Sequence, residues 1–137
     1  MVMNRINLDK SINHSIAYAS ILLRRQLFSL FRKNGVEITP EQWIVLYYLW
    51  EKDGLSLGEL AQKAKKDNAN ITRIVTRMES QGLIRKSTKE DDKRFFYLRL
   101  TEKANKIKPN VIQSILESTH ICSNGLSKVE QETFLLL

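Results

Sequence analysis

Apolar residues at Ile12, Ile16, Ala19, Leu23, Leu27 and Leu30 recur at three- and four-residue steps, which predicts one long helix from about Leu8 to Lys33. Tyr18, Ile21, Leu22, Phe28 and Phe31 widen that stripe beyond a single side. A helix apolar on more than one side has to bury a second face, and in a chain of 137 residues a partner subunit is the natural place for it. Asn34-Gly35 supplies the stop.

Three punctuated helix starts follow. Thr39-Pro40-Glu41-Gln42 is a capping box with proline at the first helical position, opening a helix that carries Trp43, Leu46, Tyr47 and Trp50 and stops near Gly54. Ser56-Leu57-Gly58-Glu59 is a second capping box, with Leu55 placed to staple onto Leu60, and its helix runs to about Ala64. After Lys65-Lys66, Asp67 is an N-cap for a third helix from about Asn68 to Gln81, with Ile71, Ile74, Val75 and Met78 inward. Gly82 sits just past its end, where Leu83 touches Met78 in a Schellman turn.

The period then changes from helix to strand. Ile84 to Thr88 reads as a short strand and Phe95 to Leu100 as its alternating partner, joined by a charged loop, Lys89 to Arg94. Thr101 caps another helix, in which Pro109 should introduce a kink or a restart. The stripe Val111, Ile112, Ile115, Leu116, Thr119 and Cys122 continues to Asn124-Gly125. Ser127-Lys128-Val129-Glu130 opens a last helix that meets no stop signal, so it is expected to be cut short at Leu137. Cys122 is read as a small buried residue.

Charge sharpens this outline. The excess of +7 is confined to the middle: Ser56 to Lys108 holds 14 Lys+Arg against 7 Asp+Glu, while the flanking segments cancel. A localised basic segment is the electrostatic footprint of a polyanionic partner. Apolar runs are too short to span a bilayer, and no secretory segment opens the chain. With a single cysteine, the chain is expected to be cytoplasmic and without a membrane role. His14 and His120 belong to no Cys/His cluster, so no metal or other cofactor is expected. No nucleophile stands beside a base and no glycine loop cradles phosphate, which argues against an enzyme.

From Ser56 the order is helix, tight turn, helix, strand, charged loop, strand: a helix-turn-helix followed by a wing. The expected fold is mainly α (α+β), a winged helix-turn-helix with long terminal helices. The DNA-binding lobe is expected over residues 39–104, between the first helix (1–38) and the last helices (105–137). The major groove of double-stranded DNA admits one such helix and is read by side chains near its N-terminal end. Asn68, Asn70, Thr72, Arg73, Thr76 and Arg77 lie opposite the inner stripe and are the candidate readers. Lys65 and Lys66 at the turn, and Lys89 and Lys93 in the wing, are phosphate candidates. Arg94 is a minor-groove candidate that Asp92 would orient.

These residues carry a family likeness. Leu57 through Ala61, Asp67 through Arg73, Met78 through Arg85, the wing signature Asp92-Lys93-Arg94 and the junction Leu98 through Lys103 resemble the MarR family of transcription regulators, over nearly the whole chain. The resemblance implies a homodimer in which the first helix (1–38) and the last two (105–137) interlock as a dimerisation region, and whose two winged lobes read a palindromic operator, usually as a repressor, released by a small aromatic or anionic effector. Trp43, Tyr47 and Trp50 are the residues weighed as an effector pocket, against a plain core role. Two features depart from the pattern: Ala104 stands where the family often has glycine, and Pro109 interrupts the linking helix. Some relatives sense peroxide through a cysteine in the first helix; none precedes Cys122 here, so that mechanism does not carry over. The rival reading is a winged-helix module for protein–protein contact, which exposed apolar residues on the wing would favour.

Overall fold

The computed structural model describes residues 7–89 and 91–137, with the side chains of Lys89, Asp92 and Lys93 outside that description. After a 3₁₀ turn at Leu8–Lys10, α1 spans Ile12–Lys33. It starts at Ile12 rather than Leu8 because the Ser11 hydroxyl accepts the His14 amide and so takes the N-cap position. The helices α2 (Pro40–Glu51) and α3 (Leu57–Lys63) open on the two expected capping boxes. In each, the cap hydroxyl accepts an amide one turn in, and the Gln42 or Glu59 side chain accepts the cap residue's own amide.

Between them lies β1 (Leu55–Ser56), a strand too short to leave a periodic signal. The third helix, α4, covers Asn68–Ser80 and ends on Gly82 in a full Schellman turn. There the Leu83 amide reaches the Met78 carbonyl at 2.9 Å, and the Gly82 amide reaches Glu79 at 3.0 Å. The strands β2 (Ile84–Lys89) and β3 (Asp92–Leu100) pair antiparallel, with Ile84 opposite Leu100 and Ser87 opposite Tyr97. They run further than the sequence pattern marks, so Lys89, Asp92, Lys93 and Arg94 belong to strands and only positions 90 and 91 separate them. The register slips between Thr88 and Lys89, an irregularity that hides the alternation there. The sheet order is β1-β3-β2, with Leu55 of β1 opposite Leu98.

A single helix, α5, covers Glu102–Ser123, and α6 covers Lys128–Leu136. Pro109 lies inside α5 without a restart. Tertiary ties flank the lost backbone donor: Val111 is buried, the Asn110 amide donates to the Asn34 carbonyl at 3.1 Å, and Ser114 accepts from Asn34 at 2.9 Å. These tie the helix to the end of α1 along its buried face, opposite the exposed side that carries Pro109.

One core unites the lobe. Leu46 and Leu49 of α2, Leu60 of α3, Ile71, Val75 and Met78 of α4, and Leu98 of β3 are all buried in it, joined by Phe31 from the end of α1 and by Ala104 and Val111 of α5. The rest of α1 and the later helices do not close on this chain. Ile12 is 75% exposed, Leu116 61% and Phe134 73%. Cys122, expected inside, is exposed: it borders an apolar cleft of about 500 Å³ between α1, α5 and α6, where its thiol lies 3.7 Å from Gln26 Oε1. The helical spacing correctly put it on the apolar side of α5, but that side is not covered here.

Gly54 joins α2 to the sheet. Its φ is +82°, and a Cβ there would stand 2.7 Å from the Arg99 guanidinium carbon. Its amide donates to Leu98, while the neighbouring Asp53 carboxylate accepts the Leu100 amide at 2.8 Å. Gly54→Ala is expected to cost about 1–2 kcal/mol in chemical denaturation, from the left-handed backbone alone. Gly58→Ala, with open space around its Cβ, should be neutral or stabilising by up to about 1 kcal/mol.

Candidate nucleic-acid interface

The turn from α3 to α4 is built on a Schellman motif without its usual glycine. The Lys66 amide reaches the Ala61 carbonyl at 3.1 Å and the Lys65 amide reaches Gln62 at 3.2 Å, which forces Lys65 to φ +53°. Both lysines follow the turn directly into α4, whose N-cap is Asp67, with Oδ1 accepting the Asn70 amide at 2.7 Å. That carboxylate satisfies one of the four free amides at the helix start.

At 100° per residue, the buried trio Ile71, Val75 and Met78 fixes which side of α4 faces outward. The opposite face carries Ala69, Thr72, Arg73, Thr76 and Ser80, all exposed. Asn68 sits on one flank beside Thr72; Asn70 and Arg77 share the other. Of the expected readers, Asn68, Thr72, Arg73, Thr76 and Arg77 are exposed, whereas Asn70 is half-buried beside Ile74. The Thr72 hydroxyl donates to the Asn68 carbonyl at 2.7 Å, which leaves its methyl and its oxygen lone pairs to a partner. Ala69 was not among the expected readers, yet it lies at the centre of the outer face near the N-terminus. Its methyl suits contact with a thymine methyl, and counting round the helix from the buried trio would have found it.

On the wing, Arg94 is exposed on β3. The contributions expected from the Lys89, Asp92 and Lys93 side chains lie outside the described residues. Phe95 is 61% exposed and Phe96 lies beneath the Lys86 ammonium, 5.1 Å from its ring centre.

The three aromatic residues weighed as a pocket divide. Trp43 and Tyr47 line a cleft of about 350 Å³ together with Tyr48, Lys63 and Lys65. Trp50 does not line it; its ring lies 5.4 Å from the Lys108 ammonium, and its indole N–H is buried without a partner among the described residues. The core stripe of α2 is instead Gln42, Val45, Leu46 and Leu49, so the aromatics occupy its flank. Among the described residues no group of three or more His, Cys, Asp or Glu is placed to hold a metal ion, and no helix is long and apolar enough to cross a membrane.

A buried-on-one-side helix, presented after a tight basic turn and flanked by a β-hairpin, defines a winged helix-turn-helix protein of the DNA-binding class. Residues 38–96 match the MarR family. The chain is 31% identical over 110 residues to the HTH-type transcriptional regulator FarR of Neisseria gonorrhoeae, covering 79% of this chain and 75% of that protein. Its fold superposes with a TM-score of 0.81 on a probable transcriptional regulator from Pseudomonas aeruginosa, at 27% identity over 93% of this chain and 94% of the other. It shares the fold of BpsR from Bordetella bronchiseptica, whose DNA binding is regulated by 6-hydroxynicotinic acid (TM-score 0.85, 17% identity, 96% and 92% coverage). The chain belongs to the MarR family of transcriptional regulators.

The left-handed Lys65 separates stability from binding. Lys65→Gly should relieve roughly 1 kcal/mol of backbone strain and raise the denaturation midpoint. The same change should weaken DNA binding and lower the salt slope of log K by about one, if Lys65 meets a phosphate. A variant that is both less stable and equally tight on DNA would contradict both assignments.

Proposed function

We propose that this regulator is a cytoplasmic, non-enzymatic repressor that binds a palindromic operator as a homodimer and is released by a small aromatic or anionic effector. The observation that carries the reading is the two-sidedness of α4: Ile71, Val75 and Met78 are buried while Thr72, Arg73 and Thr76 stand exposed behind a basic turn. In this reading Asn68, Thr72, Arg73 and Thr76 meet base edges, Arg77 meets a base edge or a phosphate, and Asn70 reaches from the flank. Lys65, Lys66, Lys89 and Lys93 meet phosphates. Arg94 enters the minor groove, oriented by Asp92. Residues 39–104 form the reading lobe, and 1–38 with 105–137 pair two subunits. Support for pairing comes from the many large apolar side chains left exposed along α1, α5 and α6, the kind of surface that marks an interaction site. Two-fold symmetry then sets the half-sites about 10 bp apart, or a small multiple.

For the effector, the cleft of Trp43, Tyr47 and Tyr48 offers aromatic walls and the ammonium groups of Lys63 and Lys65. A ligand there releases DNA only if it binds the two arrangements of the turn with different affinity. The direct test is fluorescence anisotropy on the chain's own upstream DNA against scrambled duplex, across a salt series, with and without benzoate. Tight, salt-sensitive binding to one fragment is expected, with Arg73→Ala losing about 1–3 kcal/mol, roughly 5- to 150-fold, on that fragment alone. Equal binding to every duplex would remove the operator reading, and benzoate without effect would remove aromatic acids as effectors. Sedimentation equilibrium should give a dimer that Leu116→Glu dissociates; a monomeric parent chain would end the dimer reading.

One observation favours a second reading. Phe95 and Phe96 stand exposed on β3, as a wing used for protein contact would show them. If Phe95→Ser left DNA affinity intact while abolishing association with a partner protein, the wing would be a protein-binding surface.

A further inference from the structure

Where α1 ends against the recognition helix, a cleft of about 260 Å³ is lined by Phe28, Arg32, Glu37, Gln42, Arg77 and Gln81, among others. Its hydrogen-bonding groups are unevenly used. The Gln42 carbonyl oxygen accepts the Thr39 amide at 3.0 Å, and the Gln42 nitrogen donates to Gln81 Oε1 at 2.6 Å. The Gln81 backbone carbonyl accepts from Lys103 at 2.7 Å. Gln42 itself is only 2% exposed, so this arrangement is fixed by packing. These acceptors are therefore taken, while the Gln81 amide nitrogen and both guanidinium groups remain as donors.

The arginines stand out among their neighbours. Arg24 is paired with Glu41 at 2.7 Å and Lys33 with Glu117 at 3.1 Å, but among the described residues neither Arg32 nor Arg77 makes a side-chain hydrogen bond or ion pair. They come from different elements, one from the terminal helix α1 and one from the recognition helix α4, and they line the same cleft. Two positive groups plus an amide donor, facing one carboxylate at Glu37, leave the cleft net positive and short of acceptors. That is the complement of an oxyanion.

We infer that Arg32 and Arg77 form a phosphate-binding cleft bridging α1 and α4. The phosphate group is either free or part of the DNA backbone; only the second source rests on the DNA-binding reading above. Either way the bound group ties the terminal helix to the recognition helix, so its occupancy bears on where α4 sits. The competing account is that each arginine, lying in the last turn of its helix, merely complements the helix's negative end.

Titration calorimetry of the full chain with inorganic phosphate, in a phosphate-free low-salt buffer, tests the site. One saturable site per chain is expected, weakened at least tenfold by Arg32→Gln, tightened by Glu37→Gln and unchanged by Arg25→Gln, which makes the same charge change on the same helix. The salt slope of duplex binding separates the sources. A slope lowered by about one in Arg32→Gln but not in Arg25→Gln assigns the phosphate to DNA, even where free phosphate binds too weakly to saturate. An unchanged slope with saturable phosphate binding assigns a free anion, as does saturable binding by a chain that binds no DNA. The proposal is overturned if wild type shows neither saturable binding nor a slope change in Arg32→Gln. It is equally overturned if Arg25→Gln acts as strongly as Arg32→Gln, or if Arg32→Gln lowers only thermal stability.

Discussion

A helix that presents one open face has to be held along the other, and α4 has 13 residues with which to do both. A helix of that length is marginal by itself in water, so its conformation has to come from the burial of Ile71, Val75 and Met78. Each such side chain contributes roughly 1.5–3 kcal/mol on leaving water, more than any surface contact in the lobe. The surrounding elements serve that burial. The helices α2 and α3 supply Leu46, Leu49 and Leu60, β3 supplies Leu98, and α1 and α5 close the layer with Phe31 and Val111. Both ends of α4 are then fixed by chain geometry: Asp67 caps the start, and the Gly82 turn delivers Leu83 back beneath Met78.

Polar contacts decide how this lobe sits against α1 and α5. The Arg24–Glu41 pair is bidentate, at 2.7 and 3.2 Å, and joins α1 to the first turn of α2. Burial pushes the Glu41 carboxyl up, but hydrogen bonds from Arg24 and the local backbone, with the charge of Arg24, together hold it below its ordinary value. Its stabilising contribution is therefore complete above the ordinary carboxylate range and fades as pH falls through the lowered value. Because the Arg24 side chain is more than half exposed, this pair belongs with surface ion pairs, worth about 0–1 kcal/mol. The Gln42–Gln81 bond is a different matter. It lies over a nearly inaccessible side chain, and an orphaned amide there costs about 1–3 kcal/mol, so the buried neutral pair outweighs the exposed charged one in fixing the C-terminal end of the recognition helix.

Much of this was legible in the sequence because the signals were local. The capping boxes at Thr39 and Ser56, the Asp67 cap and the Gly82 stop each require a few adjacent residues and appear as expected. Features that depend on distant partners were not legible. The strand at Leu55–Ser56 exists only because β3 runs beside it. The wing strands outrun their alternating pattern because the register slips at Thr88. The helix α5 runs on through Pro109, and the residues that follow it, Asn110 and Ser114, are tied to Asn34, far away in sequence. On the outer face of α4, residue type led to Arg73 and Thr76, which are exposed as expected, but it passed over Ala69, which the position of the buried trio reveals. Aromatic spacing on α2 likewise suggested one cluster, where the fold turns Trp43 and Tyr47 to a cleft and Trp50 toward Lys108.

The lobe and the terminal helices obey different rules of burial, and this bears on regulation. Inside the lobe, apolar residues at helical spacing end in a shared core. In α1 beyond Leu27, toward the N-terminus, and in α6, the same spacing ends at an open surface. The helix α4 is thus held within its lobe by a buried stripe, while α1 meets the lobe through Phe31 in the shared core and the Arg24–Glu41 pair, and meets α5 through polar links around Asn34. If a ligand or a partner chain acts on this protein, shifting the lobe against α1 would repack fewer contacts than distorting α4, which would sacrifice the buried stripe that makes it a helix at all.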